Sequence, residues 1–228
     1  MKISILTLFP ELFKDFVNTS IISHSLTKEI NEIEIINFRE YSKDSHKRVD
    51  DYQYGGGAGM VIGLQAIIDC LEDVKSKDSH VVLLSPQGVT YNQIIAKKFS
   101  KYKHLILICG HYEGFDERII NFVDEVISIG DYILTGGEIP AMIVADSCIR
   151  LVADTINHDS LLCESFENNL LDYPVYTKPK NFRGYKVPEV LISGNHQKIA
   201  QWRKQQQILK TKKNRTDLYK KYLKSKDK

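Results

Sequence analysis

The residues of this chain with the clearest potential for ligand chemistry are glycines gathered with polar side chains in three short stretches. These stretches are "SPQGVTYN" (85–92), "GHYEGFDER" (110–118) and "GDYILTGGE" (130–138). Glycine has no Cβ and tolerates positive φ, so main-chain N–H and C=O groups in such stretches can approach a flat ligand closely. We therefore expect a site that holds its ligand mainly through backbone groups.

A fourth glycine cluster, "YGGGAGM" (54–60), follows "SHKRVDD" (45–51). Consecutive N–H groups in such a stretch can bind an anion, and the adjacent Lys47 and Arg48 favour a phosphate or an electron-rich base. The local composition fits a solvated loop equally well. His46 on its own fits a surface or structural residue better than a catalytic one.

The known nucleotide fingerprints narrow the ligand class. A dinucleotide site needs G-x-G-x-x-G at the start of a helix, and a phosphate loop needs G-x-x-x-x-G-K-[ST]. The sequence contains neither pattern. The glycine stretches therefore indicate an adenosine-like ligand without a pyrophosphate.

The elements that must position these stretches are short apolar runs rich in β-branched residues. They lie at 3–9, 32–38, 80–85, 104–109 and 125–129, mostly separated by segments of helical periodicity. This alternation predicts an α/β fold with a mainly parallel sheet. Ligands bind beyond the carboxyl ends of such strands, where the three stretches lie. A largely apolar helix is predicted over 138–156, with Pro140 in its first turn.

The charge distribution divides the chain. Residues 196–228 carry 12 Lys and Arg against two Asp, or +10, and residues 1–195 carry 19 basic against 27 acidic residues, or −8. This asymmetry favours a polyanionic partner for the carboxyl-terminal part. We predict a ligand-binding domain over 1–158, an interdomain linker over 159–167 and a small helical domain over 168–228.

Composition also sets limits on location and metal content. The longest apolar runs fall well short of the roughly 20 residues of a membrane span. The run "MKISILTLFPELF" (1–13) lacks the cleavage site of a signal peptide. We expect a cytoplasmic protein with no membrane partner. The four cysteines form no C-x-x-C pair, so we expect reduced, mostly buried thiols and no metal site: Cys70, Cys109, Cys148 and Cys163.

Six motifs together resemble those of one family. They are "YGGGAGM", "LSPQG", "CGHYEGFDER", "SIGDYILTGGEIPAM", "LLDYPVYTKP" and "GYKVPEVLISGNH" followed by "WR". Over nearly the whole chain, their order and spacing resemble the bacterial tRNA (guanine-N1) methyltransferases of the SPOUT class. The resemblance implies methyl transfer from S-adenosyl-L-methionine to N1 of the guanine 3′ of the anticodon. It also implies a trefoil knot in the carboxyl-terminal part of the α/β domain, a helical domain on the tRNA anticodon arm, and a homodimer.

The same resemblance assigns binding residues by motif. It allows a Mg²⁺ ion near Glu113, at the methionine end of the cofactor. The implied cofactor residues are Pro86, Gly88, Gly110, Tyr112, Glu113, Gly114, Ser128, Ile129, Gly130, Tyr132, Leu134, Gly136 and Gly137. The implied substrate residues are His46, Arg48, Asp50, Gly55, Gly56, Gly57, Gly59 and Ser165.

The resemblance implies two catalytic residues, Arg150 and Glu164. A carboxylate would remove the proton from guanine N1, and the arginine would stabilise the charge that collects on O6. Aspartate is usual at the position of Glu164, in a linker about one residue longer. Either this shorter linker compensates for the longer side chain, or Asp159 does part of the work. In the implied homodimer, Arg150 and Glu164 complete a site whose cofactor belongs partly to the partner chain.

Two other function classes make different demands on the sequence. A nicotinamide or flavin oxidoreductase needs a glycine-rich fingerprint after the first strand, where "TLFPELF" (7–13) stands instead. If the chain were a non-catalytic RNA-binding protein of the same fold, we would expect Glu164, Arg150 or the glycines of the cofactor motifs to be replaced, and all are present. The sequence therefore favours the methyltransferase.

Overall fold

The computed structural model describes residues 1–157 and 164–226. The chain divides into two compact units, Met1–Ile156 and Asn157–Lys228. The first unit contains the predicted glycine stretches, and the second contains the basic segment.

The first unit is built on a five-stranded sheet in the order β2-β1-β6-β5-β7. All four neighbouring pairs are parallel, which confirms the predicted mainly parallel α/β sheet. Its strands are β1 (Lys2–Thr7), β2 (Glu32–Asn37), β5 (Ser79–Thr90), β6 (His104–Cys109) and β7 (Glu125–Ser128). A separate antiparallel pair consists of β3 (Asp50–Asp51) and β4 (Val61–Ile62).

Helices cover both faces of this sheet, which explains why its strands are apolar throughout. The α-helices of this unit are α1 (Lys14–Val17), α2 (Ser20–Thr27), α3 (Leu64–Val74), α4 (Gln93–Phe99) and α5 (Glu138–Ile149). In β6, Leu105 and Leu107 join the core beneath α4 and α5, whereas Ile106 and Ile108 join the core beneath α3. All six residues of β6 are buried.

The structure corrects two predicted boundaries. The helix predicted over 138–156 ends at Ile149, because Leu151 and Val152 donate to the carbonyls three residues earlier and the chain tightens into turns. The strand predicted over 80–85 continues to Thr90. It pairs with β7 up to Leu84, detours over four residues and pairs with β7 again from Val89.

The described residues of the second unit include the α-helices α6 (His196–Asn214) and α7 (Thr216–Lys226) and a small hairpin of β8 (Asn181–Phe182) and β9 (Tyr185–Lys186). The buried Thr211 joins the irregular segment to α6. Its hydroxyl donates to the Gln207 carbonyl at 2.6 Å and accepts from the Leu171 amide at 2.8 Å. The turn-rich chain before α6 is thus held by the helix that follows it.

The side chain of His104, at the start of β6, lies between two hydroxyl groups in the sheet. Ser4 Oγ is 2.9 Å from Nε2 and Ser79 Oγ is 2.7 Å from Nδ1. Burial lowers the pKa of His104 from its ordinary 6.5, and the nearby charge of Lys2 lowers it further. The ring therefore stays neutral in the fold at a pH where an exposed histidine is protonated.

The lowered pKa predicts a loss of stability in acid. As pH falls below about 6.5, the unfolded chain binds a proton at this residue before the folded chain does, so the free energy of unfolding decreases. We expect His104→Gln to weaken this pH dependence. Urea titrations of both proteins between about pH 7.5 and 5.5 measure it. An equal pH dependence in the two proteins would contradict the assignment.

Candidate active site

A cavity of about 470 Å³ lies at the carboxyl ends of β5, β6 and β7. Its walls come from the detour in β5 and from the loops that follow β6 and β7. This volume is in the range of small-molecule sites, and the location is the usual one for ligands in open parallel sheets. The three predicted stretches thus meet at one place.

All but one of the predicted cofactor residues line this cavity. The members are Pro86, Gly110, Tyr112, Glu113, Gly114, Ser128, Ile129, Gly130, Tyr132, Leu134, Gly136 and Gly137. Gly88 does not line it and has a different role. A Cβ at Gly88 would lie 2.4 Å from the Ile127 amide nitrogen, so glycine here lets the detour of β5 close against β7.

The glycine pair at the start of α5 is required by the protein's own packing. A Cβ at Gly137 would lie 2.7 Å from Cys109 Cα, and one at Gly136 would lie 2.1 Å from His111 Nε2. The Gly137 amide donates to the Gly110 carbonyl at 2.8 Å. Side chains are therefore excluded where the loop after β7 crosses the end of β6, and this crossing forms the inner wall of the cavity.

The loop after β7 combines a fixed base with an exposed rim. The Ser128 hydroxyl accepts from the Gly130 amide at 3.2 Å, and Gly130 has a φ of +145° that side chains rarely adopt. The tip beyond it is open to solvent: Tyr132 is 54% exposed and Ile133 is 81% exposed. Leu134 provides an apolar wall at the rim, where an aromatic base can pack.

A buried polar network behind the cavity was not found from the sequence. Glu138 at the start of α5 is 2% exposed; it accepts from the Thr7 hydroxyl at 2.7 Å and lies 2.8 Å from His111 Nε2. The position suits a carboxylate, because the first turn of a helix favours negative charge. A glutamate directly after a glycine pair was the available signal, but its partner Thr7 is 131 residues away.

The glycine-rich loop at 52–60 connects β3 to β4 and docks beside the cavity. Met60 O accepts from the Glu113 amide at 3.0 Å, and the Ile62 amide donates to Gly114 O at 2.8 Å. A Cβ at Gly59 would lie 2.6 Å from Glu113 Cγ. Three further glycines at the exposed tip have positive φ and face solvent: Gly55, Gly56 and Gly57.

The cations before this loop are paired with carboxylates. Arg48 Nη2 lies 2.8 Å from Asp44 Oδ2, and the hydrogen bonds that Asp44 accepts from the side chain and the amide of Arg48 lower the pKa of this carboxyl. Lys47 forms an ion pair with Glu40. Such exposed pairs contribute little stability, so a phosphate can replace the carboxylate at small cost. Asp50 lies in β3, and His46 is exposed.

The two predicted catalytic residues belong to different units of the chain. Arg150 follows the last turn of α5 and is partly buried. Glu164 is partly buried in the second unit, where Ser165 Oγ accepts from the Asp172 amide at 3.0 Å. The alternative base, Asp159, lies outside the described residues, as does Cys163.

The described cysteines are buried thiols, and the described residues form no cluster of metal ligands. Cys70, Cys109 and Cys148 are free and buried, and burial raises the pKa of each thiol. Within 1–157 and 164–226, no three His, Cys, Asp or Glu side chains converge as metal ligands. In the same ranges, no helix has the length and apolar character needed to span a membrane.

The fold and the cavity define an α/β protein with a cavity of small-molecule size at the carboxyl ends of parallel strands. The family profile described as tRNA (Guanine-1)-methyltransferase TrmD matches residues 1–221. The chain therefore belongs to the tRNA (guanine-N1) methyltransferase family, which confirms the resemblance of the motifs.

Relatives named tRNA (guanine-N(1)-)-methyltransferase match along almost their entire length. The protein of Malacoplasma penetrans is 63% identical, over 98% of this chain and 99% of the relative. That of Ureaplasma urealyticum is 56% identical, over 99% and 100%. That of Mycoplasma genitalium is 53% identical, over 100% and 98%.

The close backbone approach at Gly137 predicts that adding one methyl group there lowers the stability of the fold. Gly137→Ala forces the backbone at Cys109 to move, and we expect the free energy of unfolding to fall by about 1–3 kcal/mol. Gly63→Ala is the matched control, because Gly63 has a φ of −73° and ordinary spacing around a Cβ. Urea unfolding measures both variants. Equal changes in the two would show that the crossing is not tightly packed.

Proposed function

We propose that this protein transfers a methyl group from S-adenosyl-L-methionine to N1 of the guanine 3′ of the anticodon in tRNA. One observation carries the proposal: a cavity walled by glycine-rich backbone at three neighbouring strand ends, in a chain that belongs to this family. Because tRNA is the substrate, we place the reaction in the cytoplasm.

The cavity residues fit an adenosine-bearing cofactor. Backbone groups of the loops after β6 and β7 would bind the adenine edge, and Ile129 and Leu134 would pack against the ring. S-adenosyl-L-methionine, when bound, supplies a methyl group on a positively charged sulfur. Glu113 would carry the carboxylate beside the methionine part and, with water ligands, could hold a Mg²⁺ ion there.

The protein's main chemical task is to handle one proton and one developing charge. Guanine N1 carries a hydrogen and is a poor nucleophile, so a base must take this proton as N1 bonds to the methyl carbon; the carbon–sulfur bond of the donor would break, and its electron pair would stay on sulfur. We assign this role to Glu164. Arg150 would stabilise the negative charge that collects on O6.

Glutamate reaches about 1.5 Å further than the aspartate usual in the family. We propose that the shorter linker, which we take as 159–167, compensates for this reach. The linker would connect a methyltransferase domain over 1–158 to a tRNA-binding domain over 168–228.

Substrate binding would involve both ends of the chain. The +10 charge of residues 196–228 suits the anticodon arm, because neutralising phosphates releases counterions. In the first unit, the loop at 52–60 with His46, Arg48 and Asp50 would contact the guanine and its phosphates, and Ser165 would join them beside the base. The docking of this loop on Glu113 and Gly114 supports a site that binds RNA next to the cofactor.

We further propose the family's trefoil knot, formed by the cavity loops, and a homodimer with composite sites. The crossing of the Gly137 loop over Cys109 and Gly110 supports a closed arrangement of this kind. In the dimer, Arg150 and Glu164 of one subunit would face the cofactor cavity of its partner.

The base assignment predicts that Glu164→Gln lowers the single-turnover methylation rate by roughly 100-fold to 10,000-fold. Calorimetric binding of S-adenosyl-L-methionine should stay unchanged, because the role assigned to Glu164 acts on guanine N1 and not on the cofactor. Asp159→Asn is the control and should lower the rate by less than about tenfold. If only Asp159→Asn abolishes transfer, the base is Asp159. A wild-type protein that binds tRNA but modifies no guanine would be a non-catalytic RNA-binding protein.

The composite site predicts that two inactive variants restore activity when mixed. Leu134→Glu places a charge on the cavity wall and should prevent cofactor binding, whereas Glu164→Gln removes the base. After subunit exchange, about half of the dimers are mixed and each contains one intact site, which gives about a quarter of wild-type activity. Tritium transfer to tRNA measures it. No recovery in a mixture shown to have exchanged would contradict the composite site.

A further inference from the structure

The β8–β9 hairpin of the second unit presents an unusual exposed surface. Its turn residues, Arg183 and Gly184, have φ of +50° and +89°, as in the tight type I′ turn that suits a two-residue hairpin. The Asn181 side chain accepts from the Gly184 amide at 3.0 Å, and Val187 N–H donates to Lys180 O at 2.9 Å. The backbone of the hairpin is therefore well defined.

Two aromatic side chains lie on one face of this hairpin and are largely exposed. Phe182 and Tyr185 are directly opposite each other in register, so their side chains lie on the same face. Phe182 is 59% exposed and Tyr185 is 82% exposed. Elsewhere in the unit, Tyr222 is 6% exposed and packs in the core. The hairpin rings are thus available to a ligand.

The charge around the rings has one sign. Residues 173–188 contain four cations and no Asp or Glu: Lys178, Lys180, Arg183 and Lys186. All four are exposed. Within the described residues of this unit, no carboxylate forms an ion pair with any of them, whereas Arg215 is held by Asp217 at 2.6 Å. The guanidinium of Arg183 lies instead 5.3 Å from the centre of the Phe182 ring.

We propose that this hairpin is a stacking platform for an unpaired base of the RNA. Aromatic rings and the flat arginine guanidinium stack on bases that are free of a duplex, and this mode is common in recognition of RNA loops. The flanking lysines would neutralise the adjoining phosphates. The inference rests on the proposed tRNA substrate and adds a specific contact to it, because a basic helix alone binds phosphate without selecting unpaired bases.

The first test separates stacking from charge. Phe182→Leu and Tyr185→Leu keep apolar volume but remove the ring, and each should raise the Kd for unmodified tRNA on the order of tenfold. Phe182→Tyr and Tyr185→Phe are the matched controls and should stay within about twofold, because they keep the ring. Lys180→Gln, at a lysine assigned to phosphate, should lower the slope of log Kd against log salt by about one, and the leucine variants should not change it.

A spectroscopic test gives a readout that a structural role would not change. Trp202 is the single tryptophan of the chain. In a Trp202→Phe background, Tyr185→Trp reports on the hairpin alone. We expect tRNA to quench this fluorescence strongly, and a fully duplex RNA of equal length to quench it weakly.

Three results would overturn the proposal. The first is a wild-type Kd for tRNA in both leucine variants, or an equal rise of this Kd in the leucine variants and in their controls Phe182→Tyr and Tyr185→Phe. The second is equal quenching by tRNA and duplex RNA. The third is a change of sedimentation mass in the leucine variants, which would assign the hairpin to contacts between copies of the chain. Methylation by the wild-type protein is assayed in parallel, so a failed methyltransferase proposal is distinguished from a failed hairpin proposal.

Discussion

The site depends on one close approach of two backbone segments, between Gly137 and the end of β6 at Cys109 and Gly110. Only a residue without a Cβ lets the loop after β7 cross there. The crossing turns three separate strand ends into one cavity wall. It also fixes where α5 begins, and therefore where α5 directs Arg150 at its other end. The shape of the cavity wall and the position of the proposed catalytic cation, Arg150, thus share one cause.

The structure links the two binding regions of the first unit through main-chain contacts. Met60 of the glycine-rich loop accepts a hydrogen bond from the Glu113 amide of the loop after β6. In the neighbouring β4, the Ile62 amide donates to the Gly114 carbonyl of that loop. Glu113 lies at this junction, with its side chain against Gly59. Behind the cavity, Glu138 connects α5 to β1 through Thr7. We therefore expect the two loops to move together, because backbone hydrogen bonds and close packing restrict independent movement.

The sequence predicted what depends on local pattern and missed what depends on distant partners. Five apolar runs identified the strands, because strands covered on both faces are apolar throughout. The glycine stretches identified the ligand-binding edge, because the carboxyl ends of parallel strands lie at the same edge of the sheet. Thr7 could not be recognised, since its partner Glu138 is reached only through the sheet order. The return of β5 to β7 was missed because "GVT" (88–90) has no pattern that separates a strand from a loop. The exposed hairpin at 181–186 was missed as well, because the segment was predicted only as part of a small helical domain over 168–228.

The detour in β5 has a consequence for small molecules that would compete for the cavity. Its four residues are held at both ends by pairing with β7, which restricts the path of this part of the cavity wall. The exposed tip near Tyr132 and Ile133 has no such restraint. An inhibitor scaffold should therefore be fitted first to this part of the cavity wall, whereas substituents that extend to the rim reach a surface that is open to solvent.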